Sequence, residues 1–550
     1  MAVVNLNKKQ FEKEIGKFDK KMEHRIAMFG TPMEKITDTD IEIDVAPNRP
    51  DLLSYQGFKR SFLAFLGRKP GLKQYKLQKP DKKYKVIIDN SVKNIRPHTS
   101  CAIVRGLKLN DEKIKEIIEI QEKLHVTVGR KRKKLAIGIY PLDKISLPIT
   151  FKALEPDKIK FVPLEFPREM SGLEILQKHP TGKDYAHLLA GKEKFPIFID
   201  SDKNILSMPP IINSELTGKI TEKTKEVFVE CSGFDFEILK KCLNIIVTSL
   251  AEMGGTIYQM EIKGGKEKIS PNLETEKMKI NLENTNKLLG LNLTEKQLEI
   301  LVKKMGCNYK KGFVEIPSWR TDILHEVDLI EDIAIAYGYE NLIPVIPDIS
   351  TIGQENPKET IKRKISDILT GLRIMEVSNY HLTNKEYQFR KMGIQKKQDS
   401  GFVKLEESKT DYDILRKNLT HYLLKNFSEN IDSEYPQKIF EIGRVFEIDE
   451  KTKELLEYEN LAIGITPGNF TEIKQILEYL SKMLDLEIKI EEESKQSNHY
   501  IEGRIGKIKL GEKEIGKIGE IHPKILSNWK IKMPVALLEI NLEKIFNKLI

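Results

Sequence analysis

Apolar and polar positions alternate differently in four successive stretches of the chain. In the first, residues 1–80, apolar side chains recur at helical spacing, at Leu53, Phe58, Phe62 and Phe65. This spacing predicts an amphipathic helix, with Pro50 in its first turn and Gly67 at its end. Packing explains all of these positions, so the pattern assigns no chemistry to the first stretch.

The second stretch, residues 81–265, changes to short apolar runs separated by Pro and Gly. The runs are KVIIDN, SCAIVRGL, KLAIGIY, FPIFID and EVFVECSGFD. Runs of this length and composition predict β-strands. Helical patterns interrupt them at about 111–125 and 235–253, so the stretch predicts a mixed α/β domain.

The third stretch, residues 274–348, predicts a winged-helix or helix-turn-helix module. Thr294 and Gln297 form a capping box before an apolar face, and Gly290 and Gly306 suit helix ends. DNA binding would need an array of Arg, Asn or Gln side chains that reach base edges. The second helix offers only lysines near its end, so we expect a structural or subunit-contact module and no DNA partner.

The fourth stretch, residues 349–550, alternates helical and strand patterns, as in KETIKRKISDILTGLRIMEVSNYHL and in DYDILRKNLTHYLLKNFSEN followed by KIFEIGRVFEI. A chain of 550 residues is long enough for several domains. Taken together, the four stretches predict an α+β multidomain fold.

Composition narrows the class of protein. No apolar run approaches the ~20 residues that cross a bilayer, and the first residues lack a signal-peptide core. We therefore expect a cytoplasmic protein without a membrane partner. The four cysteines are too far apart in sequence for a CxxC pair, and we expect reduced, mostly buried thiols. The net charge of +9 tolerates a nucleic-acid partner without implying one.

Four carboxylates stand out in WRTDILHEVDLIEDIAIAYGYENL. Asp328, Glu331 and Asp332 fall at i, i+3 and i+4 of a predicted helix, and Asp322 precedes it. This spacing places three acids on one helix face, opposite an apolar stripe. Four oxygen donors suit Mg²⁺. The alternative is an acidic first turn that the helix dipole favours.

A basic run, GRKRKK at residues 129–134, lies between two predicted strands. Clustered Lys and Arg side chains hold nucleic-acid phosphates in many complexes. The alternative is a solvated hairpin tip, and both interpretations stay open.

Five sequence blocks carry a resemblance to a known family. They are VAPNRPDLLS at 45–54, SMPPIINSE at 207–215, IPSWRTDI with the acidic helix, KIFEIGRVF at 438–446 and GKIGEIHPKIL at 516–526. In this order the blocks resemble β subunits of phenylalanyl-tRNA synthetase. The form resembled is the shorter archaeal and eukaryotic one.

The resemblance implies a role for each stretch. Residues 1–80 would be a scaffold, residues 81–265 an editing domain that hydrolyses Tyr-tRNA, and the four carboxylates Mg²⁺ ligands near the α subunit. Residues 349–550 resemble the antiparallel-sheet module of class II synthetases, in a form without catalytic activity. The chain has no GxGxG run, and Arg416 and Arg444 lack the companion residues that clamp ATP.

The segment SMPPIINSELTGKI is the candidate for the editing pocket. Its polar residues cluster where the chain must turn, and the strand EVFVECSGFD adds one carboxylate. A buried polar group rewards the extra hydroxyl of tyrosine. The candidate residues are therefore Asn213, Ser214, Glu215 and Glu230. A turn with its caps would use the same residue types. The family's acidic residue after the aromatic of this region is replaced here by Pro141, which follows Tyr140 and weakens a catalytic role for residues 140–143.

The resemblance predicts ATP-dependent attachment of phenylalanine to tRNA(Phe) by a complex of two α and two β subunits, with the synthetic site on the α subunit. Two other classes remain open: a binding module that organises tRNA, and a stand-alone hydrolase of aminoacyl esters. Neither alternative requires an α partner.

Overall fold

The computed structural model describes residues 2–394, 401–449, 451–493 and 499–550. The chain divides into two units, Met1–Ile346 and Pro347–Ile550. None of the helices in the described ranges has the length and apolar character needed to cross a lipid bilayer.

The first unit contains strands β1 to β20 in chain order. Their bounds are Ala2–Asn7, Met33–Ile36, Asp40–Val45, Leu77–Gln78, Lys85–Ile88, His98–Arg105, Leu135–Pro141, Ile149–Leu154, Lys160–Phe161, Met170–Ser171, Phe195–Ile199, Ile205–Met208, Ile212–Asn213, Glu226–Gly233, Thr256–Tyr258, Met260–Lys263, Ile269–Ser270, Glu276–Lys279, Asn308–Lys310 and Phe313–Ile316.

Helices α1 to α11 complete the first unit. Their bounds are Lys8–Glu14, Lys20–Met28, Tyr55–Phe65, Asp111–Val126, Gly172–Lys178, Pro180–Tyr185, Glu215–Gly218, Phe236–Glu252, Leu282–Leu289, Glu295–Lys304 and Glu326–Tyr337. The two helical patterns predicted at 111–125 and 235–253 are confirmed as α4 and α8.

Two sheets face each other in the middle of the first unit. One has the strand order β4-β15-β6-β14-β7, and the other has the order β13-β12-β11-β8-β5-β16-β17. Because side chains alternate across a strand, each central strand serves two cores. Ile103 and Phe228 pack toward the second sheet, whereas Val104 and Val229 pack into a core shared with α8 and the N-terminal helices.

The N-terminal helix prediction is confirmed for its apolar stripe, since Leu53, Phe58, Phe62 and Phe65 are all buried. The helix itself begins later than Pro50, because Ser54 caps α3 by accepting a hydrogen bond from the amide of Gly57. Pro50 lies instead in a separate 3₁₀ turn.

The predicted capping box of the third stretch is confirmed: Thr294 and Gln297 exchange hydrogen bonds at the start of α10. Gly290 and Gly306 take left-handed backbone conformations after α9 and α10, with φ of +65° and +76°. Strands β18, β20 and β19 form a small sheet beside these helices. Its classification as a winged helix stays a prediction.

The second unit is built on a seven-stranded sheet of order β21-β24-β25-β29-β28-β27-β26, in which only β21 and β24 pair in parallel. Strands β21 to β29 have the bounds Met375–Glu376, Leu382–Thr383, Ile414–Leu415, Gln437–Ile448, Leu455–Thr466, Ile488–Glu492, Tyr500–Leu510, Lys513–Ile521 and Ala536–Asn541. Helices α12 to α16 have the bounds Pro357–Gly371, Thr420–Glu429, Phe470–Met483, Pro523–Asn528 and Glu543–Leu549.

Each face of this sheet carries its own core, as expected for a sheet buried on both sides. The strongly antiparallel sheet agrees with the sequence-based expectation for residues 349–550, and its relation to class II synthetases stays a prediction. All four cysteines are buried free thiols, as the sequence predicted.

Candidate functional site

A small polar pocket lies between the two sheets of the first unit. Its floor is formed where β14 pairs with β7, and in that register Glu230 stands opposite Gly138. Glu230 shares a strand face with Phe228, so its carboxyl enters a layer that is otherwise apolar. A polar group in such a layer requires partners, and these partners define the site.

Tyr140 lies behind the pocket lining, and its hydroxyl contacts three of the side chains that form that lining. Its hydroxyl oxygen lies 2.8 Å from Oγ of Ser207, 3.3 Å from Oε1 of Glu230 and 3.4 Å from Oδ1 of Asn213. The ring is fully buried and stacks on Phe228 with 5.8 Å between ring centroids. The phenol therefore connects side chains from strands β7, β12, β13 and β14.

The Glu230 carboxyl is only half satisfied. It is 1 % exposed, Oε1 lies near Tyr140, and Oε2 has no hydrogen-bond partner among the residues that the structure describes. Burial raises the pKa of Glu230 to about 8, and the positive charge of Arg96 opposes the rise. At neutral pH the carboxyl is consequently protonated, and it can both donate and accept a hydrogen bond.

A cavity of about 100 Å³ opens beside these groups. Its other wall is formed by the end of α4 and the basic run, through Glu122, His125 and Arg132. The Nε2 atom of His125 accepts the amide N–H of Ile137 at 2.8 Å, and Nδ1 lies 3.1 Å from Glu122. Burial lowers the pKa of His125, so the ring is neutral, and both of its nitrogens are engaged.

The structure brings together two of the four predicted pocket residues, Asn213 and Glu230. Ser214 is buried next to the pocket, but its amide bonds to the carbonyl of Leu206 at 2.8 Å, as in a strand bridge. Glu215 turns away and accepts the amide N–H of Glu165 at 2.8 Å. Ser214 precedes α7 without a capping hydrogen bond from its side chain, and neither Ser214 nor Glu215 lines the pocket.

Sequence reasoning missed Tyr140, Ser207, His125, Arg132 and Gly138. Gly138 carried a usable signal, because a glycine inside a strand often marks a close approach. A Cβ atom at Gly138 would lie 2.1 Å from the Tyr140 hydroxyl oxygen. The others carried no local signal, since the pocket joins segments that are distant in sequence.

The acidic helix α11 is arranged differently from the prediction. Arg320 donates to both oxygens of Asp322 at 2.8 and 2.7 Å, and to both oxygens of Asp332 at 3.1 and 3.0 Å. The Arg320 side chain is 2 % exposed. Burial raises the pKa of Asp332, and Arg320 opposes that rise, so this guanidinium is the counter-charge of two nearly buried carboxylates.

Asp328 caps the helix, because one of its oxygens accepts the amide N–H groups of Leu324 and His325 at 2.7 and 2.8 Å. This agrees with the alternative of an acidic first turn. Glu331 is exposed, whereas Asp332 is buried, so the prediction that all three acids share an outward face was wrong. The apolar stripe of Leu329, Ile330, Ile333 and Ala336 is confirmed as buried.

These donors do not fit a single magnesium site. Arg320 already binds Asp322 and Asp332, and Asp328 is occupied by backbone amides. Within the described ranges, no group of three or more His, Cys, Asp or Glu side chains is positioned to hold a metal ion. The four carboxylates Asp322, Asp328, Glu331 and Asp332 are thus split between an ion-pair cluster, a helix cap and solvent.

A second ion pair, in another of the five sequence blocks, acts on the Arg320 cluster through its charge. Arg49, from the block at 45–54, binds Asp51 through two hydrogen bonds of 2.9 Å. The positive charges of Arg320 and Arg49 outweigh burial and lower the pKa of Asp322. Arg49 and Arg320 together therefore stabilise the acids that precede and begin α11.

In the second unit, Arg416 is a structural residue. It is 1 % exposed, and its Nη1 atom donates to Oε1 of Glu441 at 2.6 Å. Arg444 lies at the surface and pairs with Glu457 at 2.9 Å. Each of the two guanidinium groups is thus paired with a carboxylate of the same unit.

Comparisons with known proteins agree across the chain. A protein-family model described as the phenylalanyl tRNA synthetase beta chain CLM domain matches residues 343–542, and one described as the tRNA synthetase B5 domain matches residues 278–339. The chain is 40 % identical over 510 residues to a phenylalanine–tRNA ligase beta subunit of Thermococcus sibiricus, covering 91 % of this chain and 90 % of the relative.

The beta subunit of the same ligase from Archaeoglobus fulgidus is 36 % identical over 555 residues, covering 100 % of this chain and 99 % of the relative. Among solved structures, an N-terminal fragment of the phenylalanyl-tRNA synthetase beta subunit from Pyrococcus horikoshii matches with a TM-score of 0.58 and 37 % identity. The match covers 61 % of this chain and 99 % of the fragment.

Proposed function

The chain belongs to the family of phenylalanine–tRNA ligase beta subunits, and on this premise we propose that it works with an α subunit to attach phenylalanine to tRNA(Phe) and removes tyrosine from mischarged tRNA. The chain is thus part of an aminoacyl-tRNA ligase. ATP binding and the synthetic step belong to the α subunit in this proposal, and the assembly contains two copies of each subunit.

One observation carries the hydrolytic part of the proposal: the ring of polar groups around the Tyr140 hydroxyl. Asn213, Ser207 and Glu230 all lie within 3.4 Å of that oxygen in an otherwise apolar layer. Tyr140 already pairs with these groups on one side, and Oε2 of Glu230 is left open toward a substrate. Phenylalanine would leave that atom unpaired, whereas the phenol of tyrosine can satisfy it. A site of this kind can discriminate by factors of about 10⁴ to 10⁵.

The unpaired Oε2 of Glu230 is the group best suited to meet the substrate phenol. Oε2 is buried at the pocket, and the raised pKa keeps the carboxyl neutral near pH 7. A neutral carboxyl can donate to the phenol oxygen at lower desolvation cost than a buried carboxylate. Glu230 would therefore select tyrosine.

The hydrolysis itself adds one water molecule to the ester carbonyl of Tyr-tRNA. The ester C–O bond breaks, tyrosine leaves as the free acid, and the proton completes the 3′-terminal ribose hydroxyl of the tRNA. His125 is not the base in this step, because both of its ring nitrogens are engaged. Asn213, at the pocket edge, is suited to orient the ester or the water.

The second unit supports a non-catalytic role. The Arg416 guanidinium is neutralised by Glu441, and Arg444 by surface glutamates. Adenylate formation needs guanidinium groups that are open to polyphosphate. Magnesium binding stays a prediction for the exposed side of α11, where Glu331 faces solvent.

Reconstitution tests the proposal. The purified chain alone should not support ATP–pyrophosphate exchange, and adding the α subunit should restore charging of tRNA(Phe) with phenylalanine. The assembled complex should also hydrolyse Tyr-tRNA(Phe) faster than Phe-tRNA(Phe). ATP–pyrophosphate exchange by the single chain would contradict the assignment of the synthetic site to the α subunit. Equal hydrolysis rates for Tyr-tRNA(Phe) and Phe-tRNA(Phe) would contradict the editing role.

A further inference from the structure

The basic run at residues 129–134, called here the basic loop, connects helix α4 to strand β7. It is therefore a helix-to-strand connection and not the hairpin tip considered from the sequence. Arg130, Lys131 and Arg132 have φ angles of 46°, 53° and 64°. Three consecutive non-glycine residues in the left-handed region are unusual, since each one is disfavoured for an L-amino acid. Such a conformation persists only where the surrounding structure holds it.

Arg132 supplies that support from inside the loop. Its Nη1 atom donates to the carbonyl of Ile211 at 2.8 Å, and its Nη2 atom donates to Glu122 at 2.9 Å. The guanidinium also lies 4.6 Å from the ring centroid of Tyr185. Because residues 209–213 line the polar pocket, Arg132 fastens the basic loop to the pocket's edge.

The other cations of the basic loop lie at the protein surface. Arg130, Lys131, Lys133 and Lys134 are exposed, and the loop backbone is closed by hydrogen bonds such as that from the amide of Lys134 to the carbonyl of Gly129 at 2.9 Å. Glu122 neutralises Arg132, and His125 is uncharged, so Arg130 and Lys131 contribute exposed positive charge at this edge. Exposed cations on a loop whose backbone is fixed can neutralise the phosphates of a nucleic-acid backbone.

We propose that the basic loop holds the phosphodiester backbone of the tRNA 3′ end while its aminoacyl ester occupies the polar pocket. This inference rests on the proposed editing function. Arg132 belongs to the loop and also lines the pocket, where it contacts the lining segment Pro210–Asn213. A tRNA whose aminoacyl ester enters the pocket therefore places its last phosphates near the loop. Phosphate contacts position a nucleic acid and contribute no base specificity, so the loop would serve any tRNA that carries the wrong amino acid.

The test compares two doubly charge-reversed β subunits in the assembled complex. One carries Arg130→Glu with Lys131→Glu, and the matched control carries Lys82→Glu with Lys83→Glu. Lys82 and Lys83 are exposed residues of the same unit, and the change of net charge is identical. Steady-state hydrolysis of Tyr-tRNA(Phe) and of tyrosine methyl ester is measured as a function of KCl concentration.

The loop variant should raise the KM for Tyr-tRNA(Phe) by about tenfold, and it should lower the salt dependence of log KM by about 0.7 per lost phosphate contact. Its kcat, its hydrolysis of tyrosine methyl ester and its charging with phenylalanine should match wild type. The control variant should resemble wild type in every measurement. Slower hydrolysis of the small ester by the loop variant would mean that the loop only supports the pocket, and that would overturn the proposal.

Two further outcomes separate this inference from the pocket's function. If Asn213→Ala slows hydrolysis while the loop variant keeps the wild-type KM and salt dependence, the pocket stands and the loop proposal fails. If Asn213→Ala does not change the hydrolysis rate, the editing assignment fails. The loop proposal is then tested by RNA binding alone. The probe is then an RNA hairpin with the tRNA acceptor stem and its single-stranded 3′ end. Equal affinity of this hairpin for wild-type and loop-variant complexes would overturn the proposal.

Discussion

Gly138 stands opposite Glu230 in the antiparallel pair of β7 and β14, and a Cβ atom on Gly138 would lie 2.6 Å from Oε1 of Glu230. The same atom would come still closer to the Tyr140 hydroxyl. Because Gly138 has no side chain, the Tyr140 phenol has room to reach the Glu230 carboxyl. The polar pocket depends on a residue that itself contributes no functional group.

Gly138→Ala is expected to damage the pocket. The added methyl group displaces the Tyr140 phenol or the Glu230 carboxyl, and overpacking of this kind costs about 1–3 kcal/mol. Thermal unfolding should show a lower Tm, and Tyr-tRNA(Phe) hydrolysis by the complex should fall, while phenylalanine charging is retained.

Gly371→Ala is the matched control for this change. Gly371 is the last residue of α12. Beyond its own helix and chain neighbours, no heavy atom of the described part of the chain lies within 4 Å of the position that a Cβ atom would take there. The control should leave Tm and hydrolysis close to wild type. A Gly138→Ala protein with wild-type Tm and hydrolysis would show that the pocket tolerates the methyl group and that the close approach is not essential.

The sequence predicted the elements of this region better than the site within them. Strand β7 and helices α4 and α8 follow from local periodicity, and the capping box at Thr294 follows from residue spacing. Tyr140 was set aside because Pro141 follows it. Its role depends on contacts with Ser207 and Glu230, which are 67 and 90 residues away in sequence, and local patterns hold no information about such contacts.

The acidic helix α11 is a second case in which local sequence patterns could not reveal a tertiary contact. Helical spacing correctly placed an apolar stripe, yet the spacing could not reveal that Arg320 draws Asp332 into the interior. A buried pair forms only where tertiary packing brings a guanidinium to the carboxylate, and the pair then removes both groups from metal binding. Charge patterns alone therefore overestimate how many acids are free.

Asn213→Ala is expected to slow Tyr-tRNA(Phe) hydrolysis by about tenfold or more, because one lost hydrogen bond in a buried site costs about 1–3 kcal/mol. Charging with phenylalanine should be unaffected. Glu215→Ala is the control, since Glu215 turns away from the pocket and binds the backbone of Glu165. A larger loss with Glu215→Ala than with Asn213→Ala would shift the site toward the following helical turn.

Glu230→Gln is expected to change the pH dependence of stability. The folded pKa of Glu230 is about 8, above that of an unfolded glutamic acid, so the folded state retains a proton that the unfolded state has lost. Stability is therefore full below the unfolded pKa and falls as pH rises toward 8, by at most about 1.4 kcal/mol per pH unit from this group. The uncharged glutamine does not incur this loss.

As the pH rises from mildly acidic to mildly alkaline values, wild type should therefore lose stability relative to Glu230→Gln. Denaturant titrations at each pH measure this change as the difference between the two free energies of unfolding. The exposed Glu222→Gln variant serves as control and should follow the wild-type profile. A constant difference between Glu230→Gln and wild type across this pH range would mean that Glu230 keeps an ordinary pKa in the folded protein.

Arg320→Met is expected to destabilise the first unit. The substitution leaves Asp322 and Asp332 nearly buried without their bidentate partner, and removal of one member of a buried ion pair costs about 3–5 kcal/mol. Protonation of the two orphaned carboxyls relieves this cost, so the deficit in the free energy of unfolding should be larger at about pH 8 than at about pH 5. Urea unfolding at both pH values measures it.

Two controls distinguish the ion-pair role of these acids from a metal role. Arg25→Met breaks a partly exposed pair with Glu340 at 3.5 Å and should cost no more than about 1 kcal/mol. Asp328→Asn with Glu331→Gln keeps the Arg320 cluster, so any loss of Mg²⁺-dependent assembly with the α subunit in this variant would be a metal effect of the helix's outer acids. If Arg320→Met is as stable as Arg25→Met under the alkaline condition, the guanidinium does not hold the two aspartates, and Asp322 and Asp332 become available to a cation.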